Sequence, residues 1–390
     1  MDTLTKLQTV SSEMGLEPAE EISPLGVRAP LPPCGHPVAD AKNNALAFHA
    51  KMPGGKTVAL LKTLLTSACE RDCFYCPFRA GRDYRRATFK PEEMANVFNE
   101  LNRAGTVDGL FLSSGLAGGG ARTQDRLLDS IDILRRKHNF NGYVHLKIMP
   151  GAEKDQVLRA MQLADRVSIN LEAPNAERLP KLAPHKAFFD ELLRPLRWAD
   201  EIRRAQSPMM GWKGKWPSLV TQFVVGGAGE SDLEILSTTA HLTKQLRLAR
   251  AYYSAFRPVL NTPLENLPPE NPMREHRLYQ SSFLLRDYGF DLEDMPFAAS
   301  GNLPLDVDPK AAWAALNLAD SPVELNRADR RSLLRVPGIG PKTADALLAA
   351  RKRGALRELR DLKALGVATA RAAPYVLLEG RRPAQQLSLF

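Results

Sequence analysis

The segment Thr66–Phe78, TSACERDCFYCPF, places Cys69, Cys73 and Cys76 in a C-x3-C-x2-C array. The chain holds four cysteines among 390 residues, and three of them fall in this one loop. A β-like run, Thr57–Leu65, leads into it, and a basic stretch with Arg79, Arg82, Arg85 and Arg86 leaves it. Thiolates this close together suit a soft metal centre, and an iron–sulfur cluster is the natural occupant. A [4Fe–4S] cluster held by three cysteines keeps one iron without a protein ligand, and that iron is open to chemistry. A structural zinc is the competing reading. It needs a fourth ligand, for which Cys34 or His36 is available, and the paired C-x2-C knuckles usual for zinc are absent.

The length suits two domains or one large domain with appendages. With 44% hydrophobic and 25% charged residues, the composition is that of an ordinary globular protein. No apolar run approaches a membrane span, and MDTLTKLQTV lacks the basic start and apolar core of a signal peptide. A cytoplasmic location is the expectation, and there thiols stay reduced and can serve as cluster ligands. The net charge is +9, and residues 321–390 hold 14 Lys+Arg against 6 Asp+Glu, a net of +8. Nearly all the excess therefore sits in the last seventy residues, which suggests a separate module facing a polyanion.

Residues 1–56 turn proline-rich after a short amphipathic start and read as an N-terminal arm. From residue 57 to about 260, short apolar runs alternate with helical stretches, the βα rhythm of a parallel sheet. The strand candidates are Thr57–Leu65, Gly109–Ser113, Gly142–Ile148, Arg166–Leu171, Ser218–Val225 and Arg250–Phe256, with helices such as Lys90–Arg103 and Gln124–Lys137 between them. In such architectures ligands gather at the carboxyl ends of the strands. Residues that follow the strands are therefore informative. They include Ser113-Ser114-Gly115 with the flexible Gly118-Gly119-Gly120, then Lys147, and Asn170 with Glu172 on one face of its strand. A carboxylate and an amide side by side can pair with two vicinal hydroxyls. Later strands offer Gln222 and a Val225-Gly226-Gly227 turn, then Tyr252, Tyr253 and Phe256-Arg257-Pro258 as ligand walls. A long insertion, 174–217, carries Trp212, Lys213, Lys215 and Trp216 at its tip. They suit either base stacking beside phosphate or anchoring of the loop onto the barrel.

The cysteine array, with aromatic Tyr75 before its third cysteine, resembles the signature of the radical S-adenosylmethionine (radical SAM) superfamily. The resemblance implies a partial (β/α)6 barrel, a [4Fe–4S] cluster on Cys69, Cys73 and Cys76, and S-adenosyl-L-methionine chelated by the open iron. It also implies an electron donor and a 5′-deoxyadenosyl radical that abstracts hydrogen from a substrate. Tyr75 and Ser113-Ser114-Gly115 then stand where the family contacts the cofactor. The second strand's turn departs from the family's Gly-Gly-Glu pattern, since serine replaces glycine and no glutamate follows. Asn170 and Glu172 resemble the Asn-x-acid pair that binds the cofactor ribose in the biotin-synthase branch.

Residues 261–320 read as a proline-rich crossing, a helix over Met273–Tyr288 and a connector without chemistry. Residues 321–380 form a small all-α module in which a helix, Arg327–Leu334, a Val-Pro-Gly-Ile-Gly turn and a second helix, Pro341–Arg353, follow one another. Gly338, Ile339 and Gly340 allow a tight turn with outward amides at a helix start, ready for a phosphate oxygen, and Lys342 adds charge. This module resembles the helix-hairpin-helix motif of DNA repair and uptake proteins. A degenerate second copy follows around Leu365-Gly366-Val367. Such modules grip the backbone of DNA without reading bases. The terminal residues 381–390 read as a disordered tail whose Gln386-Leu387-Ser388-Leu389-Phe390 resembles the bacterial sliding-clamp binding motif, which would make the protein bacterial.

Taken together, these features resemble the family of radical SAM proteins of DNA modification or repair, over nearly the whole chain. The expectation is a [4Fe–4S] radical enzyme acting on DNA. An RNA-modifying radical enzyme and a non-enzymatic DNA-binding redox sensor remain the alternatives.

Overall fold

In a computed structural model of the chain, residues 2–11, 14, 47–51 and 57–383 are described. Cys34, His36 and the Gln386–Phe390 motif lie outside the described residues. The chain divides into two compact units, one formed by Met1–Glu230 with His241–Glu275 and the other by Ser231–Ala240 with His276–Phe390.

The first unit is built on a sheet of seven strands in sequence order: β1 (Ala47–Lys51), β2 (Thr57–Leu64), β3 (Gly109–Ser113), β4 (Tyr143–Lys147), β5 (Arg166–Ser168), β6 (Ser218–Val225) and β7 (Arg250–Ala255). From β2 to β7 every pairing is parallel. The sheet curls into a half-barrel. Crossover helices follow the strands: α2 (Pro91–Arg103), α3 (Gly120–Arg136), α4 (Lys154–Leu163), α5 (Arg194–Ala205) inside the insertion, α6 (Asp232–Leu246) and α7 (Pro272–Asp287). The strands are buried over most of their length, such as GLFLS in β3, which is why they read as continuous hydrophobic runs. Pro91 starts α2 where its missing N–H costs nothing, and Glu92 and Glu93 sit at the positive end of that helix.

The amino-terminal region contributes more than an arm. α1 (Thr3–Ser11) buries Leu7 and Val10, and Lys6 reaches Glu93 at 2.9 Å. β1 pairs antiparallel with β2, Ala47 opposite Leu61, and so adds a seventh strand. AFHAK is too short and mixed to announce itself, and only the free edge of β2 gives it a partner.

In the second unit, α8 (Pro309–Asn317), α9 (Arg330–Arg335), α10 (Pro341–Ala350), α11 (Leu359–Ala364) and α12 (Thr369–Ala372) enclose a core that includes Leu325, Leu333, Val336, Ile339, Leu347, Leu362 and Val367. A two-strand parallel pair, β8 (Val323–Glu324) and β9 (Val376–Leu377), closes it. Asp308 and Asp329 cap α8 and α9 by accepting N–H bonds from Ala311 and Ser332. Among the described residues no helix is long and apolar enough to cross a membrane.

Candidate functional site

The cysteine loop springs from the carboxyl end of β2 and is pinned at its base. The Ser67 N–H donates to Ala87 O at 3.0 Å, and the Thr66 and Thr88 hydroxyls pair at 2.6 Å. Arg86 spans the loop and donates to the carbonyls of Ser67 and Phe78, both at 2.6 Å, and of Arg79 at 2.7 Å. Arg79 donates to Asp72 O, and Arg82 to Pro77 O. Three of the four arginines of the basic stretch therefore satisfy loop carbonyls that would otherwise be unpaired.

The turn after β3 runs directly against this loop. The Gly115 N–H donates to Thr66 O at 2.7 Å, and the Leu116 N–H points at the Cys69 sulfur, 3.4 Å away. A Cβ on Gly115 would lie 2.3 Å from Ala68 O, so only glycine lets the two backbones pass. Glu70, inside the cysteine array, accepts the amides of Gly118 and Gly119. The triple glycine is thus a tied turn. The Ser114 hydroxyl donates to Gly115 O.

The insertion covers the other side of the loop. The Phe74 N–H donates to Leu182 O at 2.7 Å, His185 Nδ1 lies 2.9 Å from the Asp72 carboxylate, and Arg71 bridges His185 O and Glu191. At its tip, the Trp212 ring stacks on the Arg135 guanidinium at 3.8 Å, Trp216 donates to Gln206 O, and Lys213 donates to Asn141 O. The tryptophans anchor the loop, which decides between the two sequence readings of the tip.

These elements surround an open cleft. Cys69, Cys73, Cys76, Tyr75, Ser113, Ser114, Gly115, Asn170 and Glu172 all line it, as do Lys147, Gln222, Phe256 and Arg257. Gly338, Ile339, Gly340 and Lys342 belong to the second unit. Two charged groups in the cleft are reported by the fold alone. Lys186, from the insertion, pairs with Glu172 at 2.9 Å, and Arg71 pairs with Glu191. Lys186 sits in an unremarkable APHKAFF stretch with no sequence signal, whereas Arg71 lies inside the cysteine spacer where its charge could have been noticed.

Glu172 is the most constrained residue of the site. It is buried, yet its backbone adopts φ +65°, a left-handed conformation that a non-glycine residue rarely takes. Backbone bonds on both sides hold it there: its N–H donates to Gln222 O, and its carbonyl accepts from the Val224 N–H at 2.8 Å. Burial alone would raise its pKa, but Lys186 and Lys147 outweigh burial and hold the carboxyl below its ordinary value. One carboxylate oxygen takes Lys186. The other, Oε2, is buried and makes no hydrogen bond of ordinary geometry among the described residues, although the Tyr75 hydroxyl lies close enough to help hold the carboxylate ionised. Asn170 stands beside it with its Oδ1 accepting from Lys147. Burial, then the Glu172 charge, pushes the Tyr75 phenol well above its usual range. Burial likewise raises the thiols of Cys73 and Cys76, and a bound metal would deprotonate them outright.

The donor set fits a cluster with a chelated cofactor. The three thiols share one wall, and an N–H is already aimed at one sulfur, a contact that tunes such clusters. An orphaned carboxylate oxygen across the cleft awaits a donor such as a hydroxyl. Among the described residues no three His, Cys, Asp or Glu side chains, the three thiols included, converge closely enough to hold a single metal ion.

In the second unit, Gly338 has φ +83° and a Cβ there would meet Ala368 O at 2.5 Å. The Ala368 N–H donates to Gly338 O, so the Pro-Gly-Ile-Gly turn packs directly against the residue following Val367 in the second hairpin. The Gly340 N–H donates to Thr343 Oγ1 at 2.7 Å, and Lys342 is exposed in the first turn of α10. Lys310 is buried under the turn, donating to Ile339 O at 2.5 Å with its ammonium over the Tyr288 ring.

Comparison with known proteins agrees with both units. Residues 63–241 match the family model of the radical SAM superfamily, and residues 321–350 match the helix-hairpin-helix motif. The chain therefore carries a radical SAM domain and a helix-hairpin-helix motif. Members of that superfamily use a [4Fe–4S] cluster and S-adenosyl-L-methionine, and Cys69, Cys73 and Cys76 are consistent with their cysteine motif. Similar solved structures include HydG, a maturase of the [FeFe]-hydrogenase, at 14% identity and TM-score 0.45, covering 58% of this chain and 49% of that one. HydG from Carboxydothermus hydrogenoformans gives 14%, 0.45, 58% and 51%, and methylornithine synthase (PylB) gives 14%, 0.45, 71% and 68%. The chain spans about half the length of the two HydG structures it matches. No curated protein matches the chain significantly.

Proposed function

We propose that the protein is a radical SAM enzyme that acts on DNA, with Cys69, Cys73 and Cys76 as cluster ligands. The observation that carries this reading is the single cleft shared by the three thiols and the strained, half-satisfied Glu172 carboxylate. When bound, the cluster would supply one electron to cleave S-adenosyl-L-methionine to methionine and a 5′-deoxyadenosyl radical, which takes hydrogen from the substrate. Glu172 Oε2 and the Asn170 amide are the ribose partners, and Tyr75 and the Ser113–Gly115 turn complete the cofactor wall. The insertion and the Arg71–Glu191 pair hold the cysteine loop and narrow its access to water.

The helix-hairpin-helix unit supplies the substrate side. Gly338, Ile339 and Gly340 shape the turn, and Lys342 with the first amides of α10 would hold a phosphate without reading bases. The Gln386–Phe390 peptide would tether the enzyme to a sliding clamp, a reading supported by its sequence alone.

The test is anaerobic reconstitution with iron and sulfide, then assay of 5′-deoxyadenosine with and without duplex DNA. The expected result is production that rises with DNA and disappears in Cys69→Ala, Cys73→Ala and Cys76→Ala. Turnover retained in any of the three cysteine variants would defeat the reading, as would an intact cluster and a working reductant that yield no 5′-deoxyadenosine.

A further inference from the structure

Four cationic side chains line the cleft: Arg71, Lys147, Lys186 and Arg257. Three are committed within the protein. Arg71 is held by Glu191, Lys186 by Glu172, and Lys147 by the Asn170 side chain. Arg257 is different. It stands half-buried two residues beyond the end of β7, and its guanidinium makes no hydrogen bond or ion pair with any described residue. Ser254 also lines the cleft, and its hydroxyl makes no hydrogen bond with any described residue. Ser254 lies near the carboxyl end of β7, Arg257 just beyond it, and Phe256 between them in the chain also lines the cleft.

A guanidinium offers a rigid fork of donors that matches an oxyanion in bidentate fashion, and a serine hydroxyl adds one more donor. Placed at the carboxyl end of a barrel strand, where ligands of this architecture sit, the pair would suit an oxyanion. It lies at the β7 end, whereas the thiols and Tyr75 come from the β2 end and Asn170 and Glu172 from the β5 end. A cofactor lying between the thiols and Glu172 would leave this wall for the second reactant.

We propose that Arg257 and Ser254 bind a phosphate of the substrate, so that the cleft takes a nucleotide drawn out of the polymer, with Phe256 against its sugar or base. This inference rests on the reading of the cleft as a radical SAM site. A base inside a duplex is out of reach of a recessed cleft, and enzymes that act on bases extrude the nucleotide into a pocket. The helix-hairpin-helix turn would then hold the polymer while Arg257 fixes the one extruded nucleotide.

The experiment uses the full chain, reconstituted with its cluster and loaded with S-adenosyl-L-methionine, with Arg257→Gln and Arg257→Lys alongside. Equilibrium dialysis measures retention of the four deoxynucleoside 5′-monophosphates and, separately, of the four deoxynucleosides. We expect at least tenfold weaker monophosphate binding in Arg257→Gln, a partial loss in Arg257→Lys, and weak, unchanged deoxynucleoside binding. Affinity for S-adenosyl-L-methionine, read from the perturbed spectrum of the cluster, stays the same in all three proteins. A fall in that affinity would reassign Arg257 to the cofactor carboxylate and overturn the proposal. Equal monophosphate retention by wild type and Arg257→Gln, or none by either, would also overturn it. Basal 5′-deoxyadenosine formation by the same wild-type preparation shows separately whether the radical reading itself holds.

Discussion

Glu172 and Lys186 are coupled as a buried pair, and the consequences are testable by substitution. Removing one partner of such a pair leaves a buried charge without compensation, at a cost of about 3–5 kcal/mol, while replacing both is far milder. Thermal melts of Glu172→Gln, Lys186→Met and the double variant should therefore show strong non-additivity, with the double more stable than Lys186→Met alone. Additive losses would show that the two side chains act independently. A charged hydrogen bond to a ribose hydroxyl contributes about 1.5–3 kcal/mol. Glu172→Gln should accordingly bind S-adenosyl-L-methionine at least tenfold more weakly while keeping its iron and sulfide. The sequence singled out Glu172 with Asn170 by alternation along a strand expected to run to Leu171, whereas β5 ends at Ser168 and both residues follow it. It could not show φ +65°, which follows from backbone bonds to β6, nor Lys186, which arrives from fourteen residues downstream.

At the scale of elements, two close backbone passages shape the two sites. Gly115 lets the turn after β3 cross the cysteine loop, and the atoms a side chain would strike there are backbone, with no flexible tip to move aside. Overpacking of this kind costs about 1–3 kcal/mol. Gly115→Ala should lower the melting temperature by about 3–10 °C and reduce the iron retained per chain. Normal iron content at unchanged stability would mean that the loop has slack. In the second unit, α8 delivers Lys310 beneath the Pro-Gly-Ile-Gly turn. Burial, followed by the charge of Arg371, pushes its pKa down to about 7, while Asp308 opposes the shift. Between that value and the ordinary lysine range near 10.4, the unfolded chain binds a proton that the folded chain does not. Stability therefore rises with pH through this window, with a slope approaching about 1.4 kcal/mol per unit for this one group. The difference between wild type and Lys310→Met, melted in parallel from pH 7 to 9.5, should show this slope. Parallel pH profiles for the two proteins would remove Lys310 as the titrating group.

At the scale of the molecule, a radical SAM domain and a helix-hairpin-helix motif share one chain. Lys342 is exposed, makes no ion pair among the described residues, and can be changed without disturbing the core. Lys342→Ala should weaken duplex binding across sequences and reduce the slope of log affinity against log salt by about one. Its 5′-deoxyadenosine formation without DNA should equal wild type. An unchanged salt slope would place the phosphate contacts on another face. The sequence by itself determined the parallel βα order, the cysteine loop at the end of its first barrel strand, and the glycine turn before α10. Those features are local: apolar periodicity, a proline at a helix start and the spacing of three thiols are written in neighbouring residues. Only the tertiary structure decided that β1 completes the sheet, that Arg79, Arg82 and Arg86 serve loop carbonyls, and that Trp212 anchors the insertion. It alone also brought Lys186 to Glu172 and left Arg257 without a partner among the described residues. Each of these depends on which distant groups remain unsatisfied once the chain has closed, and a buried polar group finds its partner by proximity in space, wherever that partner lies in the sequence.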